Sequence, residues 1–513
     1  MNQPTIVPPE FLTGPGGGEL LDRLLPLLPR LTGPCFLVGG AVRDCLLRLL
    51  ASQRPARVPV GSYDLDLLVP AGGVRLARRL ADALGAAFYP LDPPRDVGRI
   101  VFRPHAESGP RVVDVASFQG ATLWADLGGR DFTVNAMALE VTHQPLVLID
   151  PLGGLDDLRA GRLRAASEGA LLDDAVRTLR AVRLRAQFGF EIETRTLSLI
   201  RTAADRLSQV SAERVRDELV KILSLPDSAG SLRLMDSLGL LCVVLPELSL
   251  LKGLAQLPRN EDGFEHTLQV VGALERLLPL DGAAAHLHLP FPDQVAQHVT
   301  GVAAGGHSRR LLLTLAAWLH DIGKPAAFSQ SADGTIHYPE HEAVGAGLAR
   351  AALERLRFSR QAAHWVETIV RDHGRPLLLA REPSLSRRAI HRFFRDAGDA
   401  GVEVALLALA DHLAIVAAGW SDAGSDSVLE TTTELLRAYF VGRDEVIAPP
   451  VLLSGGEIVR RFGLPPGPVI GELLRELTEA QAAGEVATPA QAQEWVRTRL
   501  QISNIKWQIS NDK

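Results

Sequence analysis

Phe36-Leu37-Val38-Gly39-Gly40-Ala41-Val42-Arg43-Asp44, followed after a short interval by Asp64-Leu65-Asp66, is the stretch on which the fold turns. An apolar run enters a double glycine and then a helix start. Gly39 and Gly40 can take backbone angles closed to other residues and admit a ligand close to the main chain. The free N–H groups and dipole of the following helix favour an anion over those glycines. Asp64 and Asp66 lie in an apolar run with Leu65, Leu67, Leu68 and Val69 that reads as a strand. Residues two apart on a strand share a face, so both carboxylates point one way and Leu65 turns into the core. Two close carboxylates repel unless a cation sits between them, and Mg²⁺, hard and oxygen-seeking, suits the position.

Composition bounds what can surround this stretch. The chain has 513 residues, enough for several domains. Its formal net charge of −6 excludes a polybasic nucleic-acid binder, so any RNA contact needs locally concentrated positive charge. Cys35, Cys45 and Cys242 show no C-x-x-C spacing, which points to a reducing compartment and no zinc knuckle. No apolar run approaches about 20 residues free of charge and proline, so no membrane span is expected. The N-terminus carries acid and proline rather than a basic-then-apolar signal. The expectation is a cytoplasmic protein without a membrane partner.

Outward from the opening motif, the pattern gives an α+β chain. A small mixed-sheet head precedes all-helical regions. The expected divisions are a leader at 1–30, the head at 31–150, a helical neck at 151–250, a histidine-rich helical domain at 251–420 and a helical tail at 421–513. Leucines between Leu20 and Leu28 predict one helix leading into the head, and Gly73 to Leu84 predicts another. Phe88 to Phe102 reads as broken by proline and glycine, with a flexible segment at Asp92 to Phe102. Arg111 to Val115 reads as a strand that carries a third acidic candidate, Asp114, opposite its apolar neighbours. The stretch 281–308, rich in Ala, Gly, Pro and His, reads as a mobile insertion.

The ordered pair of motifs, Gly39-Gly40-x-Val42-Arg43-Asp44 and then Asp64-x-Asp66, resembles the head of the class II tRNA nucleotidyltransferase (CCA-adding) and bacterial poly(A) polymerase family. The resemblance implies catalytic, Mg²⁺-holding roles for Asp64 and Asp66, with Asp114 as a third carboxylate. It implies nucleotide contacts from Gly39, Gly40, Arg43 and Asp44. Gly129-Arg130-Asp131-Phe132-Thr133-Val134-Asn135-Ala136 matches the family's R-R-D-F-T-x-N-A segment, with Gly129 in place of the first arginine. Arg130, Asp131 and Asn135 would then meet phosphate and ribose. Asp150-Pro151-Leu152-Gly153-Gly154 matches a segment regarded as a hinge. Asp173-Asp174-Ala175-Val176-Arg177 matches E-D-x-x-R, so Asp174 and Arg177 would read the Watson–Crick edge of the incoming base. A carboxylate accepts from an amino group and a guanidinium donates to a ring acceptor, a pairing that suits C and A. Arg177, Arg180 and Arg183 share a helix face, with the last two toward triphosphate or RNA. Ser211 reads as an N-cap, and Arg214 with Glu218 as an i, i+4 ion pair.

A second constellation lies downstream. His320-Asp321 follows an apolar helix, and His266, His341, His373 and Asp411 are spread along the chain. The order resembles the HD phosphohydrolase domain. It implies His266, His320, Asp321 and Asp411 as a core metal set, with His341 and His373 as the extra ligands of two-metal members. Mg²⁺, Mn²⁺ or Ni²⁺ would serve there. Together the resemblances imply template-independent addition of nucleotides from CTP and ATP to a tRNA or other RNA 3′ end, with a phosphohydrolase site besides, in a monomer or homodimer. Alternatives are a poly(A) polymerase, an enzyme adding only CC or only A, and an HD phosphohydrolase with a non-catalytic head.

Overall fold

The computed structural model describes residues 5–8, 18–50, 64–102, 111–256, 261–279, 289–417 and 425–511, with the side chain of Asp64 outside that set. The chain divides into two compact units. One comprises residues 1–225 and 230–244, the other 226–229 and 245–513.

In the first unit, β-branched and leucine-rich runs build one mixed eight-stranded sheet. Its strands are β1 (Ile6–Val7), β2 (Phe36–Val38), β3 (Asp64–Val69), β4 (Ala87–Asp92), β5 (Val97–Phe102), β6 (Arg111–Ser117), β7 (Ala138–Glu140) and β8 (Leu146–Ile149), in the order β1-β8-β7-β2-β3-β6-β5-β4. β3 and β6 run parallel, with Asp66 opposite Asp114. The other pairings are antiparallel. Leu65, Leu67, Val113 and Val115 are buried, as the two-residue period requires. Leu68 joins Phe36, Val38, Leu123, Leu127, Ala136 and Ala138 in a separate cluster.

Three local expectations are corrected. The leucine-rich leader forms two short helices, Gly18–Leu24 and Leu28–Leu31, because Pro26 lies in the break and has no N–H to continue the first. Its β1 pairs with β8, so part of the leader belongs to the sheet. Phe88 to Phe102 is an ordered strand–turn–strand. Pro90 is accommodated on edge strand β4, where no further ladder is lost, and the register shifts between Pro90 and Asp92. The Asp96 carboxylate accepts from the amides of Gly72, Gly73 and Val74 at 2.9, 2.9 and 3.0 Å, tying this turn to the start of the Gly73–Leu84 helix.

Past β8, the chain is helical. Asp150 accepts from the amides of Gly154 and Leu155 (2.7 and 2.9 Å), so the segment read as a hinge is also the N-terminal anchor of helix Gly154–Ala160. Helices Val176–Phe188 and Ala212–Leu223 pack on each other and carry the arginine repeats.

The second unit is helical, its core built by Gly263–Leu277, Arg309–Leu319, His341–Arg355, Arg360–Asp372 and Gly401–Ala417. Within 281–308, residues 281–288 lie outside the description, but Pro292–Thr300 is a helix. His298 Nε2 sits 3.1 Å from the buried Glu403 carboxylate, which also accepts from Arg309, so this part of the insertion is fastened to the core. Among the described residues one stretch, Arg387–Ala417, is long and apolar enough to cross a membrane by composition; 72% of its most apolar window is buried inside the protein. Beyond it, a capping box of Ser454 and Glu457 opens helix Gly455–Phe462, and Leu453, Ile458, Leu473, Leu477 and Val496 form a small separate core.

Candidate active site and metal centre

The head site grows from the turn that ends β2. Gly39 has φ of 73°, and a Cβ there would lie 3.1 Å from Asp66 Oδ2 and 3.4 Å from Arg130 Nη1. A side chain at Gly39 would therefore press on a carboxylate and a guanidinium at once, and the positive φ adds strain, so the turn favours glycine. Asp66 is exposed on β3, beside Asp114 in the parallel register. Asp114 is held by Arg99 of β5 in a two-point pair, Nε to Oδ1 at 2.7 Å and Nη2 to Oδ2 at 2.6 Å. Arg130 is itself 3.3 Å from Asp126.

Four residues of the matched motifs form a buried chain beneath this surface. Arg43 donates to Asp44 Oδ1 (2.8 Å) and to Asn135 Oδ1 (2.7 Å), and its guanidinium lies 4.5 Å from the Phe188 ring centroid. Asn135 donates to Asp131 Oδ1 at 3.0 Å. Asp131 also accepts from the Phe132 amide and, through Oδ2, from Arg180 at 2.9 Å. Burial pushes the Asp131 carboxyl up, but Arg180, Asn135 and the amide outweigh it and hold it below the ordinary carboxylate value. The chain continues to Glu218, 3.7 Å from Arg180 and 2.8 Å from Arg183.

The arginine stripe is thus met by acid from a second helix. Arg177 donates to the carbonyls of Gly129 and Ala170 (2.9 and 2.8 Å) and lies 3.8 Å from Asp174. Arg214 donates to Asp174 Oδ2 at 2.7 Å. The expected Arg214–Glu218 pair within one helix is corrected: each residue reaches across to the Asp174–Arg183 segment, where an oppositely charged group is already fixed by packing. Ser211 occupies the N-cap position, but its side chain makes no capping bond.

In the second unit the six spread residues converge. His266 Nε2 is 3.0 Å from Asp411 Oδ1 and 3.7 Å from Asp321 Oδ2. His320 Nε2 is 3.3 Å from Asp321 Oδ2, and His341 Nε2 is 3.6 Å from Asp321 Oδ1. Two triads with metal-compatible ligand spacing result, His266–His320–Asp321 and Asp321–His341–His373, with Asp321 common to both. Gly323 makes this possible, because a Cβ there would fall 2.0 Å from the His341 carbonyl.

The histidines are aimed. Nδ1 of His320, His341 and His373 each bonds the carbonyl three residues earlier, Ala317, Tyr338 and Val370, at 3.0, 2.9 and 2.7 Å. A carbonyl only accepts, so each Nδ1 carries a proton and each Nε2 is the ring atom left to face the cluster, where it offers a lone pair once the ring is neutral. His320 Nε2 is buried without a hydrogen-bond partner. Burial pushes Asp321 and Asp411 up, yet the histidines, joined at Asp321 by Lys324, hold both carboxyls below their ordinary value. Burial and the neighbouring His320 bring His373 down to about 4, which keeps it neutral and able to ligate. The donor set, with an orphaned imidazole nitrogen and a bridging carboxylate, fits a divalent metal.

Some participants had weak signals in the sequence. Lys324 lies three residues after Asp321 and its ammonium is 2.6 Å from Asp321 Oδ2. Helical spacing after the His-Asp pair was its one local signal. Arg99 had none, since it meets Asp114 only through strand register.

Comparison with known proteins follows this geometry. Residues 35–164 match the poly A polymerase head domain, 189–251 the probable RNA and SrmB-binding site of polymerase A, and 263–415 the HD domain. The chain is 35% identical to an A-adding tRNA nucleotidyltransferase of Deinococcus radiodurans, across 93% of this chain and 98% of that protein. It is 32% identical to a CC-adding tRNA nucleotidyltransferase of Geobacter sulfurreducens, across 90% and 91%. Among solved structures, the Thermotoga maritima CCA-adding enzyme complexed with tRNA shares the fold, with a TM-score of 0.62, 20% identity, and coverage of 98% of this chain and 100% of that one.

Proposed function

Because the chain belongs to the family of tRNA nucleotidyltransferases built on a poly A polymerase head domain, we propose that it adds cytidine or adenosine, from CTP or ATP, to the 3′ end of tRNA without a template strand. The observation that carries this is the Asp66 carboxylate and the Arg130 guanidinium seated together against the Gly39 turn. Acid for a cation and base for a phosphate thus share one glycine-floored surface.

Asp64 and Asp66 would hold Mg²⁺, which supplies a lowered pKa for the attacking 3′-hydroxyl and charge neutralisation for departing pyrophosphate. The protein's own residues prepare the rest. The Gly39 turn opens the floor for the triphosphate, and Arg130 faces its oxygens. Asp174 and Arg177 read the base edge. The buried Arg43–Asn135–Asp131–Arg180 chain fixes the distance between the turn and the base-reading helix, so the α-phosphate and the 3′-oxygen meet in line. Asp114, paired through both oxygens with Arg99, would stand beside Asp66 as the third carboxylate of the surface. Residues 31–150 form the catalytic head, 151–250 the base-reading neck and 421–513 an RNA-contacting tail.

For the histidine-rich domain at 251–420, within the second unit, we propose metal-dependent phosphoester hydrolysis. His266, His320, Asp321 and Asp411 would hold one divalent ion, and Asp321, His341 and His373 a second, drawn from Mg²⁺, Mn²⁺ or Ni²⁺. Each site is assembled from one chain's residues, which suits a monomer or a homodimer. A tRNA substrate and three free cysteines fit a cytoplasmic enzyme.

The test supplies the purified protein with tRNA ending before CCA, after C, after CC, or complete, with each labelled triphosphate in turn. Incorporation confined to CTP, ATP or both is expected. Failure to extend any of these ends, or extension with UTP and GTP as readily, would overturn the proposal.

A further inference from the structure

Asp321 is the one carboxylate shared by both candidate metal triads, and its two oxygens have different surroundings. Oδ1 faces His341 Nε2 at 3.6 Å. Oδ2 faces His266 Nε2 at 3.7 Å and His320 Nε2 at 3.3 Å, and it also receives the Lys324 ammonium at 2.6 Å. The lysine arrives from three residues along the chain, in the turn that follows helix Arg309–Leu319. Its side chain is 12% exposed and lies 5.9 Å from the centre of the Tyr338 ring. A positive group therefore already sits on the oxygen that a divalent ion between His266 and His320 must use.

We infer that Lys324 is a built-in competitor for the first metal position: its ammonium neutralises Asp321 in the metal-free protein and must leave Oδ2 before an ion can bind among His266, His320, Asp321 and Asp411. Two facts support displacement rather than coexistence. An ammonium and a divalent ion on one carboxylate oxygen repel strongly at low dielectric. Lys324 also has an outward path, since its ammonium already lies within reach of the Tyr338 ring and Phe328 beside that ring, 6.2 Å from ring to ring, is half exposed. The two positions then differ in kind. The His266 position has four protein ligands but a resident cation to expel. The His341 position has three ligands on the other side of Asp321. Lys324 thereby sets the metal concentration at which the site becomes dinuclear, and loading turns a buried lysine outward.

This rests on reading the six residues as metal ligands, and the test separates the two. Apoprotein is titrated with Mn²⁺ by calorimetry, for the wild type, Lys324→Gln, Lys324→Arg and His341→Ala. Two ions per wild-type chain support the ligand reading; none would sink that reading itself. With two ions bound, Lys324→Gln is expected to tighten one site by about tenfold or more and leave the other unchanged. Lys324→Arg keeps wild-type behaviour, and the tightened site survives when His341→Ala is added to Lys324→Gln. Unchanged or weakened Mn²⁺ binding in Lys324→Gln would overturn the inference. A second measurement needs no variant: acetylation of Lys324 in the wild type, read by peptide mass spectrometry, should rise severalfold on Mn²⁺ saturation. Equal or lower labelling would also overturn it.

Discussion

Arg180 donates to Asp131 Oδ2 at 2.9 Å across 49 residues of sequence, joining the arginine helix to the loop that follows the sheet's glycine-floored surface. Asp131 is buried, and its other oxygen is taken by Asn135 and the Phe132 amide. The ion pair thus acts as a strut, and the residues matched to a ribose-binding motif act at least in part by holding their neighbours in place.

Asp131→Asn keeps the shape of the side chain and removes the charge. Arg180 is about one-third exposed, so its loss of a partner is softened by solvent. A destabilisation of about 2–4 kcal/mol is expected in urea unfolding. In a double-mutant cycle with Arg180→Met, the second change should recover part of it. Full additivity would refute the strut.

Asp66→Asn should lower nucleotide incorporation by about 10³-fold or more, because it removes charge where an Mg²⁺ ligand is needed. Folding should be intact, since the side chain is exposed. Phosphoester hydrolysis by the second unit should be unaffected. Incorporation within tenfold of wild type would exclude Asp66 from the metal site.

Glu218 gives a pH dependence. Burial pushes its carboxyl up, but Arg183, Arg180 and Lys221 outweigh burial and hold it below its ordinary value. A carboxyl lowered on folding contributes stability above its unfolded pKa of about 4.3 and loses it as pH falls through the folded value. The first unit should therefore lose stability below about pH 4.5, and Glu218→Gln should flatten that part of the curve. Thermal unfolding between pH 3 and 7 measures both. A variant with the wild-type acid slope would rule Glu218 out.

Metal addition should stabilise the second unit. At 100 times its dissociation constant a ligand specific for the native state adds about 2.7 kcal/mol. Mn²⁺ should raise the unfolding temperature, a chelator should reverse the rise, and His320→Ala, which leaves the Asp321–His341–His373 triad intact, should reduce it. An equal rise in His320→Ala would place the ion elsewhere.

Gly323→Ala tests the close crossing on which the second triad depends. The added methyl would meet the His341 carbonyl at 2.0 Å, so main chain must shift. A cost of about 1–3 kcal/mol is expected, with loss of one of two bound metals as His341 moves away from Asp321. Retention of both ions at wild-type affinity would contradict this reading.

Local order fixed a great deal. The glycine pair, the strand aspartates, the Gly73–Leu84 helix and the spread histidines are short-range patterns, and main-chain sterics and side-chain period act over a few residues. The six HD-type residues are legible without any distance, because residue type and order along the chain do not depend on the folding that brings them together. The leader shows the limit: its leucines spell one helix, but Pro26 divides it and β1 finds a partner 141 residues away, Val147 for Ile6.

What tertiary structure alone decided is pairing. Arg214 and Glu218 are spaced to bond each other, and instead they bond Asp174 and Arg183. Arg99 takes both oxygens of Asp114, and Lys324 reaches Asp321 Oδ2 at 2.6 Å. A charge takes the best-placed partner that packing offers, at distances set by helices and strands far apart in sequence, and an isolated stretch of residues holds no record of that competition.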